Sequence, residues 1–257
     1  MLRDRVLEVM TSRVVTIGES STVQEAAALM ARTNIGSVIV VEGGKILGIL
    51  TERDVLRRFL DGGIGGKRVL ELMTRQVVSI APETTLADAA GLMIGHGFRR
   101  LPVVEGSVLV GIVTATDLTY EMNSQHLKDR VSKYMSRVVY SVPLSATVIE
   151  AVESMVGHNI GCLLVLDGAE IAGIVTERDI VRGVVARGPR PKDDGVTEIM
   201  STEVVRVEPD TLVSHACHLM YYYGVRRLPV VDGRGTVRGM ITERDLLKAV
   251  KHGFETA

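Results

Sequence analysis

Tryptophan is absent from this 257-residue chain, phenylalanine occurs three times and cysteine twice. With aromatics at 4%, the core must be built from aliphatic side chains and from some of the 11 methionines. Cys162 and Cys217 lie far apart and neither belongs to a Cys-x-x-Cys pair, which excludes the common zinc and redox motifs. Both are expected to be buried small apolar residues. Charge of one sign is not in excess either. The formal net charge is -1, so the overall balance gives no reason to expect nucleic acid or an anionic membrane. No apolar run approaches the ~20 residues of a membrane helix, and Met1-Leu2-Arg3-Asp4-Arg5 lacks the apolar stretch of a signal peptide. A cytoplasmic location is the expectation. Asn and Gln are sparse, which is compatible with a thermophilic source.

What is present is repetition. Gly48-Ile49-Leu50-Thr51-Glu52-Arg53-Asp54 returns as Gly111–Asp117, Gly173–Asp179 and Gly239–Asp245, with the aspartates 63, 62 and 66 positions apart. Each copy is preceded by a matching methionine, at Met10, Met73, Met135 and Met200, followed by a β-branched run such as Val14-Val15-Thr16-Ile17. Four repeats are read, at 1–60, 61–122, 123–187 and 188–257. Repeats 1 and 3 share Asn-Ile-Gly, at Asn34–Gly36 and Asn159–Gly161, whereas repeats 2 and 4 share Arg-Arg-Leu-Pro-Val-Val, at Arg99–Val104 and Arg226–Val231. A two-repeat module duplicated as a pair, 1–122 and 123–257, is the simplest history.

Within a repeat the order reads strand, helix, strand, strand, helix. Thr22-Val23-Gln24-Glu25 is a capping-box pattern opening a helix with Val23, Ala26, Ala27 and Met30 on one face. Ser37–Val41 and Ile46–Leu50 flank Glu42-Gly43-Gly44 as a hairpin, and a second helix starts near Thr51 with Val55, Leu56 and Phe59 inward. The fold class is therefore α/β, of the α+β type. A unit this small buries little core alone, so pairing with a neighbour is expected. Linkers are read at Asp61–Gly66, Asn123–Arg130 and Gly188–Gly195, the middle one dividing the modules.

The chemistry centres on the junction of the second hairpin strand with its helix. A helix start favours anions, a carboxylate there can accept from a ribose diol, and a threonine hydroxyl can donate to phosphate or sugar. Thr-x-x-Asp is equally a cap, so two readings stand side by side. Three copies place an arginine inside the motif, Arg53, Arg178 and Arg244, which a cap does not require; repeat 2 carries Ala115-Thr116 instead. Arg99-Arg100 and Arg226-Arg227 add guanidinium groups suited to phosphate oxygens.

On these motifs the chain resembles CBS domains over nearly its full length, and each two-repeat module resembles a Bateman module. The resemblance implies repeats paired about pseudo-twofold axes, with clefts binding AMP, ADP or ATP, or alternatively S-adenosylmethionine or NAD. By motif, Asp54, Asp117, Asp179 and Asp245 would meet ribose. Thr51, Thr114, Thr116, Thr176 and Thr242 would lie near ribose or phosphate, and Arg53, Arg178, Arg244, Arg99, Arg100, Arg226 and Arg227 near phosphate. Four repeats in one chain are also similar to the gamma subunits of AMP-activated protein kinases, which implies two modules stacked as a disc.

Other motifs are weaker. His215-x-x-His218 lacks a completing ligand for metal, and Gly62–Lys67 departs from a phosphate-binding loop at Asp61 and Arg68. Tyr221-Tyr222-Tyr223 ends an apolar helix and is expected to pack. No metal cluster, activated nucleophile or acid–base pair points to an enzyme. The expectation is a non-catalytic sensor of adenine nucleotides acting on a separate effector protein or through a homodimer. The rivals are a nucleotide-processing enzyme and a scaffold for protein or nucleic acid without a small ligand.

Overall fold

A computed structural model describes residues 4–121, 128–185 and 194–256. Most of two expected linkers, 123–127 and 188–193, lies outside the described residues.

Repeat 1 shows how the sequence writes the unit. After β1 (Thr16–Gly18), Thr22 caps α1 (Val23–Thr33), where the Glu25 carboxylate accepts from the Thr22 amide at 2.7 Å. The stripe Val23, Ala26, Ala27 and Met30 is fully buried, as the spacing predicts. Asn34 stops the helix in the left-handed conformation at φ 57°. Strands β2 (Ser37–Glu42) and β3 (Lys45–Thr51) then form the antiparallel hairpin, closed by Gly43 and Gly44 at φ 55° and 83°. Both turn residues have positive φ, as a two-residue turn of type I′ requires. Helix α2 (Glu52–Leu60) buries Val55 and Leu56 and leaves Phe59 half-buried.

The plan recurs. Repeat 2 contains α3 (Val69–Leu72), α4 (Leu86–His96), β4 (Arg100–Glu105), β5 (Val108–Thr114) and α5 (Ala115–Glu121). Repeat 3 contains β6 (Ser141–Pro143), α6 (Val148–Gly157), β7 (Cys162–Asp167), β8 (Glu170–Thr176) and α7 (Glu177–Ile180), continued by a π turn at Val181–Val185. Repeat 4 contains α8 (Val213–Tyr223), β9 (Arg227–Val231), β10 (Val237–Thr242) and α9 (Glu243–Thr256). The first strand pairs parallel to the second in repeats 1 and 3. In repeats 2 and 4 it shrinks to single bridges, Ile80 with Val103 and Val207 with Val230. Pro82 and Pro209 follow shortly after; they lack the amide hydrogen that a longer ladder would use as donor, and their carbonyls accept from the Leu7 and Ser132 amides.

The residues opening each repeat pack on another one. The segment opening repeat 1 bonds to repeat 2 (Val6 amide to Thr84 carbonyl, 2.9 Å), and that opening repeat 2 bonds to repeat 1 (Val69 amide to Ser21 carbonyl, 3.0 Å). Repeats 3 and 4 make the same exchange, through Val131 to Thr211 at 2.8 Å and Val196 to Ala146 at 2.9 Å. Met10 thereby covers Gly111, Met73 covers Gly48, Met135 covers Gly239 and Met200 covers Gly173.

The chain divides into two compact units, each with its own core. One gathers residues 1–14, 78–139 and 204–257, and so repeats 2 and 4; the other gathers 15–77 and 140–203, and so repeats 1 and 3. Repeats alike in sequence therefore share a core: Leu86, Met93, Leu118, Leu246 and Val250 in the first, Met30, Leu56, Met155 and Ile180 in the second.

Candidate functional site

Strands β3, β5, β8 and β10 deliver Thr51, Thr114, Thr176 and Thr242 to helix starts, and each motif closes as a reciprocal cap. The Oδ2 of Asp54, Asp117, Asp179 and Asp245 accepts from the threonine amide at 2.9, 2.8, 2.9 and 3.0 Å. It accepts from the threonine hydroxyl at 2.7, 2.8, 2.7 and 2.6 Å. The cap reading of Thr-x-x-Asp is thus realised four times. It does not consume the carboxylate: the Oδ1 atoms of Asp54, Asp117 and Asp245 take no hydrogen bond among the described residues. Burial raises the Asp117 carboxyl above its ordinary value, while the bonds from Thr114 oppose that rise.

The arginine pairs lie beside the motif because of strand register. Arg100 opens β4 directly opposite Thr114, and Arg227 opens β9 directly opposite Thr242. The preceding carbonyls tie the same junction, that of Arg99 accepting from Ala115 at 2.9 Å and that of Arg226 from Glu243 at 3.0 Å. All four arginines are half-buried. In repeats 1 and 3 the same places hold Gly36-Ser37 and Gly161-Cys162, with Ser37 opposite Thr51 and Cys162 opposite Thr176.

The arginine inside the motif has a partner that sequence reasoning missed. Arg53 Nε donates to Glu177 Oε1 at 2.6 Å, and Arg178 Nε donates to Glu52 Oε1 at 3.3 Å, so repeats 1 and 3 grip each other reciprocally. Glu52 and Glu177 are each only 3% exposed. The far ends of the guanidiniums reach the helix-ending asparagines of the opposite repeat, Arg53 to Asn159 at 2.7 Å and Arg178 to Asn34 at 3.1 Å. Arg57 and Arg182 donate to the same two oxygens. This explains Asn-Ile-Gly, since Asn tolerates the left-handed position nearly as glycine does and adds an acceptor. The signal was in the sequence, as Glu-Arg and Asn-Ile-Gly occur together only in repeats 1 and 3.

Repeats 2 and 4 meet differently. Thr116 donates its hydroxyl to the buried Glu243 at 2.7 Å, Arg244 donates to the Gly97 carbonyl at 2.5 Å, and the helix-ending residues are Gly97 and Gly224. The place of Glu52 and Glu177 is taken in repeat 2 by Ala115.

Elsewhere two expectations are corrected. Tyr221, Tyr222 and Tyr223 are 50%, 71% and 55% exposed rather than packed into the core, because Val213, Ala216, Cys217 and Met220 form the buried stripe of α8 and the tyrosines fall beyond it. Tyr221 stacks on Tyr120 at 3.9 Å. Cys217 is buried as expected, but Cys162 is only partly buried, since it opens β7 at the edge of the core. Burial pushes the Cys217 thiol up to about 12, with the nearby Glu243 carboxylate adding to the effect. A chromogenic disulfide reagent at about pH 8 is therefore expected to modify Cys162 in the folded protein, and Cys217 only after unfolding. Equal rates at both thiols would contradict the packing of α8.

His215 and His218 are exposed, and among the described residues no group of three or more His, Cys, Asp or Glu side chains is placed to hold a metal ion. A groove of 610 Å³ in repeat 4 is lined by Arg206, Glu208, Thr211, His215 and Asp232 among others, none of them in the motif or arginine pairs. Among the described residues no helix is long and apolar enough to cross a membrane.

Four copies of a small α/β unit, each with Thr-x-x-Asp at a strand-to-helix junction, define a tandem-repeat protein. The CBS domain model matches residues 6–61, 69–124, 131–186 and 196–252, and the chain belongs to the CBS-domain family. MJ1225 of Methanocaldococcus jannaschii is 32% identical over 196 residues, 70% of each chain. YhcV of Bacillus subtilis, a CBS domain-containing protein, is 43% identical over 120 residues, 46% of this chain and 86% of that one. The crystal structure of MJ1225, described as a candidate archaeal homolog of g-AMPK, superposes with a TM-score of 0.84 at 20% identity, covering 95% of this chain and 99% of that one. A conserved protein from Pyrococcus horikoshii superposes at 0.67 with 29% identity, covering 96% and 99%.

Proposed function

We propose that this protein is a non-catalytic sensor that binds adenine nucleotides, AMP, ADP or ATP, at its Thr-x-x-Asp motifs and passes their occupancy to an effector protein. The observation that carries the reading is the register of repeats 2 and 4, which sets Arg100 opposite Thr114 and Arg227 opposite Thr242, while the Oδ1 atoms of Asp117 and Asp245 take no hydrogen bond among the described residues. In this reading the aspartates take ribose, the threonines ribose or phosphate, and Arg99, Arg100, Arg226, Arg227 and Arg244 phosphate. S-adenosylmethionine and NAD carry the same adenosine and are the alternatives. Membership of the CBS family supports the regulatory role. Sensing requires that the ligand bind two states of the protein unequally. The pieces from which the chain was assembled are taken as 1–122 and 123–257, whose members exchange their opening segments.

Titration calorimetry of nucleotide-stripped protein against AMP, ADP, ATP, S-adenosylmethionine and NADH tests this. Asp245→Asn, which removes the charge offered to the diol, is expected to weaken the preferred ligand about tenfold at that site. If none of the five binds, the scaffold reading takes over; turnover of ATP by the purified protein would establish an enzyme instead.

A further inference from the structure

The arginines inside the motifs of repeats 1 and 3 stand between two anions. Sequence position offers Arg53 and Arg178 to a phosphate at the Thr51 and Thr176 motifs, and the structure commits each to a buried glutamate of the opposite repeat. We propose that the Arg53–Glu177 and Arg178–Glu52 pairs form a displaceable clasp, so that a nucleotide phosphate bound in this unit competes with the glutamates and loosens repeat 1 from repeat 3. The proposal rests on the nucleotide reading above and adds to it the direction of the response.

The competition follows from charge and geometry. Arg53 already spends Nε on Glu177 at 2.6 Å and Nη1 on Asn159 at 2.7 Å, so two of its donors are engaged across the interface. A phosphate recruiting that guanidinium must either draw it away or share one positive charge with a carboxylate that is shielded from water. Each arrangement sets phosphate against glutamate, and a carboxylate out of water depends strongly on its cation. The asparagines hold the guanidinium without charge and so add direction without adding to the antagonism. Repeats 2 and 4 lack the device, because Glu243 is met by the neutral hydroxyl of Thr116 and repeat 2 offers Ala115 where the clasp needs a glutamate. Anion binding is thereby converted into movement in one unit and not in the other.

The experiment compares AMP with adenosine on the full chain carrying Asp117→Asn and Asp245→Asn, which leaves only repeats 1 and 3 with intact motifs. Adding Glu52→Gln and Glu177→Gln removes the competing charges while keeping shape. AMP affinity is then expected to rise about tenfold, with adenosine unchanged, in keeping with a like charge removed near the phosphate. In the unaltered protein, amide exchange in α2 and α7 is expected to quicken on AMP binding while α5 and α9 do not. Equal or weaker AMP binding by the glutamine variant, or slower exchange in α2 and α7, overturns the clasp and leaves the nucleotide reading standing. Absence of AMP and adenosine binding from every form removes the nucleotide reading, and the clasp with it.

Discussion

Arg53→Ala is expected to lower stability by about 2–4 kcal/mol, among the larger effects of a single surface-proximal substitution in this chain. The Glu177 side chain is 4% exposed and its carboxylate lies 2.6 Å from Arg53 Nε, while Arg53 keeps 22% of its side chain accessible. Removing the cation takes the charge-assisted bond at 2.6 Å from a desolvated carboxylate, whereas replacing both partners removes charge and counter-charge together. The companion variant Arg53→Met/Glu177→Leu is therefore expected to recover most of the loss, since a buried ion pair is often no better than packed apolar groups of similar size. Urea unfolding of the two variants checks this. Equal destabilisation of both would mean that the arginine contributes through its packing alone. Arg178→Ala is expected to cost less, because its contact to Glu52 is longer at 3.3 Å.

Gly48→Val is expected to cost about 3 kcal/mol or more, through overpacking rather than backbone conformation. A Cβ on Gly48 would sit 2.7 Å from the Met73 sulfur and 2.7 Å from the Thr74 carbonyl oxygen. The sulfur can swing aside; the carbonyl cannot. Thr74 is tied on both sides of the contact, its carbonyl accepting from Ile49 at 3.0 Å and its amide donating to Ile49 at 2.9 Å. Gly239, whose Cβ would meet the Ser136 carbonyl at 2.5 Å, is expected to behave alike. Gly18→Ala is the control, with nothing within 4 Å, and is expected to change stability by less than about 0.5 kcal/mol. If Gly48→Val matched that control, the opening segment of repeat 2 would not be seated on repeat 1 in solution.

The unit itself was legible because its determinants are local. Thr22-x-x-Glu25 names a helix start, the spacing of Val23, Ala26, Ala27 and Met30 names its buried face, and Gly43-Gly44 names a turn. The fourfold return of the glycine, threonine and aspartate marked one junction four times over, and family membership followed from that recurrence. The methionines were legible as markers but not as plugs. Nothing in Met73 announces Gly48 as its seat, since that contact depends on the exchanged opening segment of repeat 2 being laid on repeat 1.

Sequence alone determined four α/β repeats, their caps and hairpins, the sorting into two kinds, and the side chains gathered at each strand-to-helix junction, because these depend on periodicity, turn chemistry and register within some fifty residues. Only tertiary structure decided that like repeats share a core, that Arg53 and Arg178 answer to Glu177 and Glu52, and that Asn34 and Asn159 serve as acceptors as well as helix ends. The physical reason is that an ion pair between positions more than a hundred residues apart leaves no periodic trace; its partners find each other only after both helices have been fixed by their own apolar stripes.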